Sequence, residues 1–311
     1  MKLYKIDIQP HGVFYTSIKG DMFFGMFCCT LADCLGNERL NLCLNGYAEN
    51  KPFIIFSDAF PKGFLPKPML PIQYYKTDSK NIEIDAKKRK EFKRRNWLPI
   101  ECLKLPTFQM KNEFKEVKFK QSFLKTANRI EQKTNHASGG VYSAYTTEPI
   151  IYNMPLSIYM AVDESKISLE EIELIIKNIG MNGFGKKSSS GGGKFEVCGN
   201  IEEVEIQSCK HTKFMTLAPC VPQSEILNAD ECFYKIFVRF GRHGSKNALS
   251  ENPFKKPVIT MDTGAVLTFT VEPENKLFTG KGVKGTSLVD DNVVYQGYAL
   301  LVPILAEEFA E

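Results

Sequence analysis

Leu3 to Gln9 alternates, with Tyr4, Ile6 and Ile8 on one side and Lys5, Asp7 and Gln9 on the other; this period of two predicts a half-exposed strand. From Asp21, an N-cap candidate, to Gly36 the period lengthens. Phe24, Phe27, Cys28, Leu31 and Leu35 then share one stripe of a helix. A second short helix is expected over Glu38 to Leu44, and a brief apolar strand over Phe53 to Phe56. Regular patterning resumes at Pro149 to Tyr152, and Leu156, Ile158, Met160 and Val162 alternate on a further strand. Ser168, with Glu171 three residues on, is a capping-box signature. Leu169, Ile172, Ile175, Ile176 and Ile179 form the apolar face of the helix that follows, which is expected to stop at Gly180. Phe195 and Val197 open the next strand.

Between Ser57 and Glu148 the pattern gives way to Pro-rich connectors, a charged run and a polar, strand-like stretch from Phe114 to Phe123, which reads as an insertion. Without it, the order is strand, helix, strand, strand, helix, strand. That is the βαββαβ order of a ferredoxin-like unit, related to the RNA-recognition sheet. The expected fold class is therefore α+β, with a first domain over 1–206 that carries an insertion at about 57–148. Strands at Cys232 to Phe240, Ala265 to Val271 and Val293 to Ile304, with little helical signal between them, predict a degenerate, β-rich second domain over 207–311.

The densest chemistry lies between the capped helix and the strand at Phe195. From Gly180 to Glu196 there are six glycines, three serines and three lysines. Glycines let a backbone approach a ligand closely, N–H groups and hydroxyls donate to phosphate oxygens, and lysines neutralise them. The candidate contacts are Gly183, Gly185, Gly191, Gly192 and Gly193 through backbone donors, Ser188, Ser189 and Ser190 through hydroxyls, and Lys186, Lys187 and Lys194 through charge. A flexible linker has a similar composition, but this segment joins two core elements of one domain. An NTPase loop is excluded mechanically. Gly180 to Lys186 fits G-x-x-x-x-G-K, yet Lys187 stands where the magnesium hydroxyl belongs, and the loop follows a helix and opens a strand, the reverse of the required order.

Net charge is only +4, but it is unevenly spread. Lys76 to His136 holds 17 Lys and Arg against 8 Asp and Glu, a net +9, so the remainder carries −5. One region facing a polyanion on an otherwise acidic body is the simplest electrostatic reading. Nine cysteines without a C-x-x-C pair read as buried, reduced thiols rather than a zinc site. The N-terminal residues lack a signal-peptide core and no run reaches membrane-spanning length, so a cytoplasmic protein with no membrane partner is expected.

Five segments together resemble the RAMP superfamily of CRISPR proteins and, within it, the family of fourth subunits of type III-A (Csm) effector complexes. They are Phe56-Ser57-Asp58-Ala59-Phe60-Pro61; Asn128-Arg129-Ile130 through Gly139-Gly140-Val141-Tyr142; the glycine loop itself; Phe254-Lys255-Lys256-Pro257 leading to Gly264; and Val294-Tyr295-Gln296-Gly297-Tyr298-Ala299. They span nearly the whole chain in the family's order. One departure is Arg129-Ile130-Glu131-Gln132, where the second basic position of the family's segment is lost. The resemblance implies two RAMP domains and a non-catalytic subunit without cofactor or metal, which caps the repeat-derived 5′ handle of CRISPR RNA with the glycine loop. It also implies that the insertion forms a thumb beside the first guide–target pair, touching target RNA. Its implied partners are the large palm-domain subunit and the repeated RAMP backbone subunit.

Arg129, His136 and Tyr142 flank Gly139 and Gly140 and are candidates for stacking a splayed base, although Tyr142 serves equally as a core residue of a hairpin. His136 also carries the alternative reading, a metal-independent endoribonuclease that processes CRISPR repeat RNA with histidine as general acid or base. The basic run Lys87 to Arg95 reads either as an RNA or subunit surface or as a solvated face. Arg242 to Lys246 and Lys255-Lys256 fit contact with the handle or with the large subunit.

Overall fold

The structure is a computed structural model that describes residues 1–75, 86–128, 130, 144–205, 213–244, 249–271 and 276–306. Its first sheet is built from β1 (Lys2–His11), β2 (Ile54–Pro61), β3 (Leu156–Val162) and β4 (Lys194–Glu203). The spatial order is β4-β1-β3-β2, antiparallel throughout. Helix α1 (Gly20–Leu35) lies between β1 and β2, and helix α2 (Leu169–Asn182) between β3 and β4, so the βαββαβ order of the sequence is present.

The local signals explain most of these elements. The capping box closes as expected, with Glu171 N–H on Ser168 Oγ at 3.2 Å and Ser168 N–H on Glu171 Oε2 at 2.9 Å. Ile172, Ile175, Ile176 and Ile179 are buried against the sheet. Fully burying one such side chain contributes about 1.5–3 kcal/mol. Gly180 does not stop this helix, which runs on to Asn182. It lets helix and sheet meet, because a Cβ there would sit on the carbonyl of Phe195 in β4.

Other expectations are corrected. Helix α1 starts at Gly20 with Lys19 as N-cap, and Asp21 lies in its buried first turn, engaged by Arg239 and Tyr295 rather than by the helix. Asp7 is buried, not on a solvated face, because Ser157 Oγ (2.7 Å) and Lys62 Nζ (2.8 Å) satisfy its carboxylate. Strand β2 continues to Pro61, paired with Leu156, so residues 57–61 belong to the sheet. The described cysteines are free but not uniformly buried: Cys43 and Cys220 are, whereas Cys34 is exposed.

Between β2 and β3, a helix at Ala86–Arg94 takes up most of the basic run and is anchored by Phe92, whose ring lies 5.4 Å from Tyr75 and 5.9 Å from Phe114. Of the stretch from Phe114 to Phe123 only Lys120–Ser122 is a strand; it pairs with Ile150–Tyr152, which in turn pairs with Val13–Phe14. A hairpin, Lys125–Asn128 with Ala144–Thr147, projects beyond it.

A second four-stranded sheet comprises β5 (Lys213–Thr216), β6 (Val266–Leu267), β7 (Phe278–Val283) and β8 (Tyr295–Ile304), in the order β6-β5-β8-β7. Ile236–Arg239 and Val258–Met261 form a separate ribbon. No α-helix follows Asn182 among the described residues. One continuous apolar cluster runs through both sheets, joining Ile55 and Phe56 to Met215, Tyr298 and Val302. No helix among the described residues is long and apolar enough to cross a membrane.

Candidate nucleic-acid interface

The glycine loop is a folded turn tied down at both ends. Gly183 follows the helix at φ 92°, donating to Ile179 C=O at 2.8 Å. Phe184 then turns inward, almost completely buried, with its ring 5.9 Å from Phe23 of α1. The mouth is closed by Phe184 N–H on Gly193 C=O at 2.8 Å, and Gly193 N–H reaches Val13 C=O at 2.8 Å. Lys187, at φ 61°, starts a tight turn over Ser188–Ser190; its carbonyl accepts from Ser190 and Gly192, both at 3.0 Å. Gly191 N–H closes on Ser188 C=O at 2.9 Å. Thr16 supports the middle, its Oγ1 accepting from Lys186 N–H at 3.2 Å.

This geometry redistributes the roles expected from sequence. The N–H groups of Gly183, Gly191, Gly192 and Gly193 are used inside the protein, so these glycines shape the loop instead of offering donors. What faces solvent is Lys186, Ser189, Ser190, Gly191 and Lys194, with Gly185, Lys187 and Ser188 half-buried. Three buried glycines, Gly183, Gly192 and Gly193, leave the ammonium and hydroxyl groups as the outward chemistry.

Lys187 departs from the rest. Its Nζ lies 4.8 Å from the centre of the Tyr15 ring and 4.9 Å from that of Tyr145, and donates to Tyr145 Oη at 3.3 Å. Tyr145 stands on the projecting hairpin opposite Ala127, so this lysine joins loop to hairpin. Tyr15, Thr16 and Tyr145 were not legible as site residues. Tyr15 and Thr16 fall between β1 and α1 in no periodic pattern. Arg129, His136, Gly139, Gly140 and Tyr142 lie outside the described residues.

Two of the other sequence segments, those holding Asp58 and Gln296, make buried contacts. Asp58 of β2 is buried, taking Gly20 N–H at 2.9 Å, Thr263 Oγ1 at 2.6 Å and Lys19 Nζ at 3.3 Å, while Lys19 also holds Asp262 at 2.7 Å. Burial raises the Asp58 carboxyl above its ordinary range, against the pull of Lys19. Gln296 of β8 reproduces a strand neighbour for β2. Its Oε1 accepts from Phe56 N–H at 3.0 Å and its Nε2 donates to Phe56 C=O at 2.8 Å. Phe254 is exposed, with the Arg242 guanidinium 5.7 Å from its ring. No cluster of three or more His, Cys, Asp or Glu capable of holding a metal occurs among the described residues.

No family model and no curated protein matches the sequence. Solved structures do match over the full length. One is a chain of a Csm1-Csm4 cassette in complex with pppApA, at 14% identity, covering 99% of this chain and 98% of that one with a TM-score of 0.60. A chain of the same cassette with AMPPNP matches at 15% identity, 100% of each chain and a TM-score of 0.60. A chain of a Csm3-Csm4 subcomplex of the type III-A CRISPR-Cas interference complex matches at 15% identity, 98% and 99% coverage and a TM-score of 0.58. Csm4 is the subunit common to these assemblies. The chain therefore shares the fold of chains from these Csm1-Csm4 and Csm3-Csm4 assemblies, and at these identities the fold is what the likeness establishes.

Proposed function

We propose that this protein is a non-catalytic RNA-binding subunit of a type III-A CRISPR effector complex, holding the repeat-derived 5′ handle of CRISPR RNA on the glycine loop. The observation that carries the proposal is the loop itself: a folded turn, pinned by Phe184 and Gly193, that presents Lys186, Lys194, Ser189 and Ser190 outward from a Csm4-like fold. Ammonium and hydroxyl groups in that arrangement bind a phosphate backbone without reading its bases. The chain divides into a ferredoxin-like unit over 1–206 and a degenerate, β-rich unit over 207–311, joined across the buried contacts of Asp58 and Gln296. The insertion acts as a thumb beside the first guide–target pair. The protein's partners are a large palm-domain subunit and a repeated backbone subunit, a reading supported by similar chains that come from Csm1-Csm4 and Csm3-Csm4 assemblies.

The test is the salt dependence of handle binding. For single-stranded RNA, log K falls by about 0.7 per phosphate neutralised for each decade of salt. Replacing Lys186, Lys187 and Lys194 together with Gln is expected to flatten the slope by about 2 and to weaken binding at low salt. An unchanged slope removes the loop from the interface.

A further inference from the structure

We propose that Tyr145, with Tyr15 and Lys187, forms a stacking site for one nucleobase of a single-stranded RNA whose backbone lies on the glycine loop. This rests on the RNA reading above and adds to it a site for a base. Three observations bear on it. Tyr145 is 43% exposed although both its hydroxyl and its ring are engaged by Lys187, so a ring face remains open to solvent. The ring of Tyr15 has its centre 4.8 Å from the same ammonium; a Cβ on Gly192 would come within 3.0 Å of that ring, which therefore packs on the loop backbone. Lys187 is one of only two described non-glycine residues with positive φ, the other being Asn50. Such a conformation is unfavourable for a residue with a side chain, and here it belongs to a lysine whose Nζ lies 4.8 and 4.9 Å from the centres of two aromatic rings.

Rings and an ammonium at one point suit a nucleotide. The base stacks on the tyrosine, and the ammonium, now between ring and loop, turns to the adjoining phosphate. Stacking on an aromatic side chain is sequence-tolerant because every base has a π-face. Protein interfaces are depleted in lysine, whereas here Lys125 lies two residues from Ala127 on the paired strand and Lys186 adjoins Lys187, both exposed.

The experiment measures binding of a handle-length RNA to full-length protein bearing Tyr145→Ala or Tyr145→Phe, with an abasic residue placed at each RNA position in turn. Loss of a stacked base corresponds to a fall of about 5- to 150-fold in affinity. Tyr145→Ala is expected to show such a fall with an unchanged salt slope, and Tyr145→Phe to stay within about twofold of wild type. At one RNA position the abasic probe should bind wild type and Tyr145→Ala alike, which identifies the stacked base. Wild-type affinity for Tyr145→Ala, in a protein whose slope still depends on the loop lysines, overturns the stacking site alone. Failure of wild type to bind the RNA at all instead removes the RNA reading beneath it. Retained RNA affinity together with lost capture of a Csm1- or Csm3-type subunit by Tyr145→Ala assigns the ring to a protein interface and overturns the proposal.

Discussion

Gly191 and Gly193 are two residues apart in one turn, both left-handed, at φ 83° and 75°, and their substitution by alanine separates shaping the loop from meeting a ligand. An L-residue in that region costs roughly 1–2 kcal/mol, a penalty both variants share. Around Gly191 there is nothing within 4 Å of an added Cβ. Around Gly193 the Cβ lands on the Phe184 carbonyl and 2.5 Å from its nitrogen, so the pair Phe184–Gly193 cannot persist. Losing it, and the Gly193 N–H bond to Val13 with it, leaves buried polar groups unpaired at about 1–3 kcal/mol each. Gly193→Ala should therefore destabilise by about 3–8 kcal/mol and Gly191→Ala by about 1–2. For a chain of this size a kilocalorie moves Tm by about 2 °C, so thermal melts should separate the variants by about 4 °C or more. Equal shifts would refute the steric reasoning. Handle affinity completes the test, because Gly191→Ala keeps the fold and loses affinity only where RNA approaches that backbone.

Gln296→Leu keeps volume but orphans Phe56 N–H and C=O, and is expected to cost about 2–4 kcal/mol in denaturant unfolding, against under about 0.5 for Gln223→Leu, whose amide bonds Asn50 at the surface. A pH effect follows from His243, which is buried with Nε2 3.0 Å from Ser287 Oγ. That hydroxyl already accepts from Val289 and Asp290 N–H, so it donates to the ring, which must be neutral. Burial and then Lys255 lower its pKa below the ordinary 6.5, with Asp290 opposing. The folded state thus binds fewer protons than the unfolded one. The stability tied to the neutral ring is complete above about pH 6.5 and is lost as pH falls through the folded value. Melts at pH 5.5 and 7.5 should show a larger drop for wild type than for His243→Gln.

How much of this could be read from the chain depended on whether a signal was local. The capping box at Ser168 and Glu171, the isoleucine face of α2 and the alternation of β3 are short-range patterns, and each formed where expected. Phe23 was missed from the α1 stripe because its burial comes from Phe56 and Phe184, which reach it from distant segments. The strands Lys213–Thr216, Val258–Met261 and Phe278–Val283 were missed for a related reason. They are short or glycine-bearing, and gain their stability from pairing with partners far along the chain. The loop's location and lysine-serine chemistry were legible. The direction of its N–H groups was not, since that follows from Val13 and Thr16 lying beneath it.

The anchoring of the loop also bears on how it could bind. Phe184 touches Phe23, Phe23 lies 5.0 Å from Phe56, and the Phe56 backbone is held by Gln296 of the second sheet. The turn is therefore fixed by the junction of the two sheets, and a ligand there need not order it first. Ordering a free loop would cost roughly 1–2 kcal/mol per residue for the backbone alone. Over the residues from Lys186 to Gly191 that cost would cancel several phosphate contacts at physiological salt. A preformed turn avoids that cost for the ligand proposed above. On the proposed RNA reading, the buried glycines act through shape: they allow a close-packed turn, and the packing leaves lysine and serine side chains facing outward.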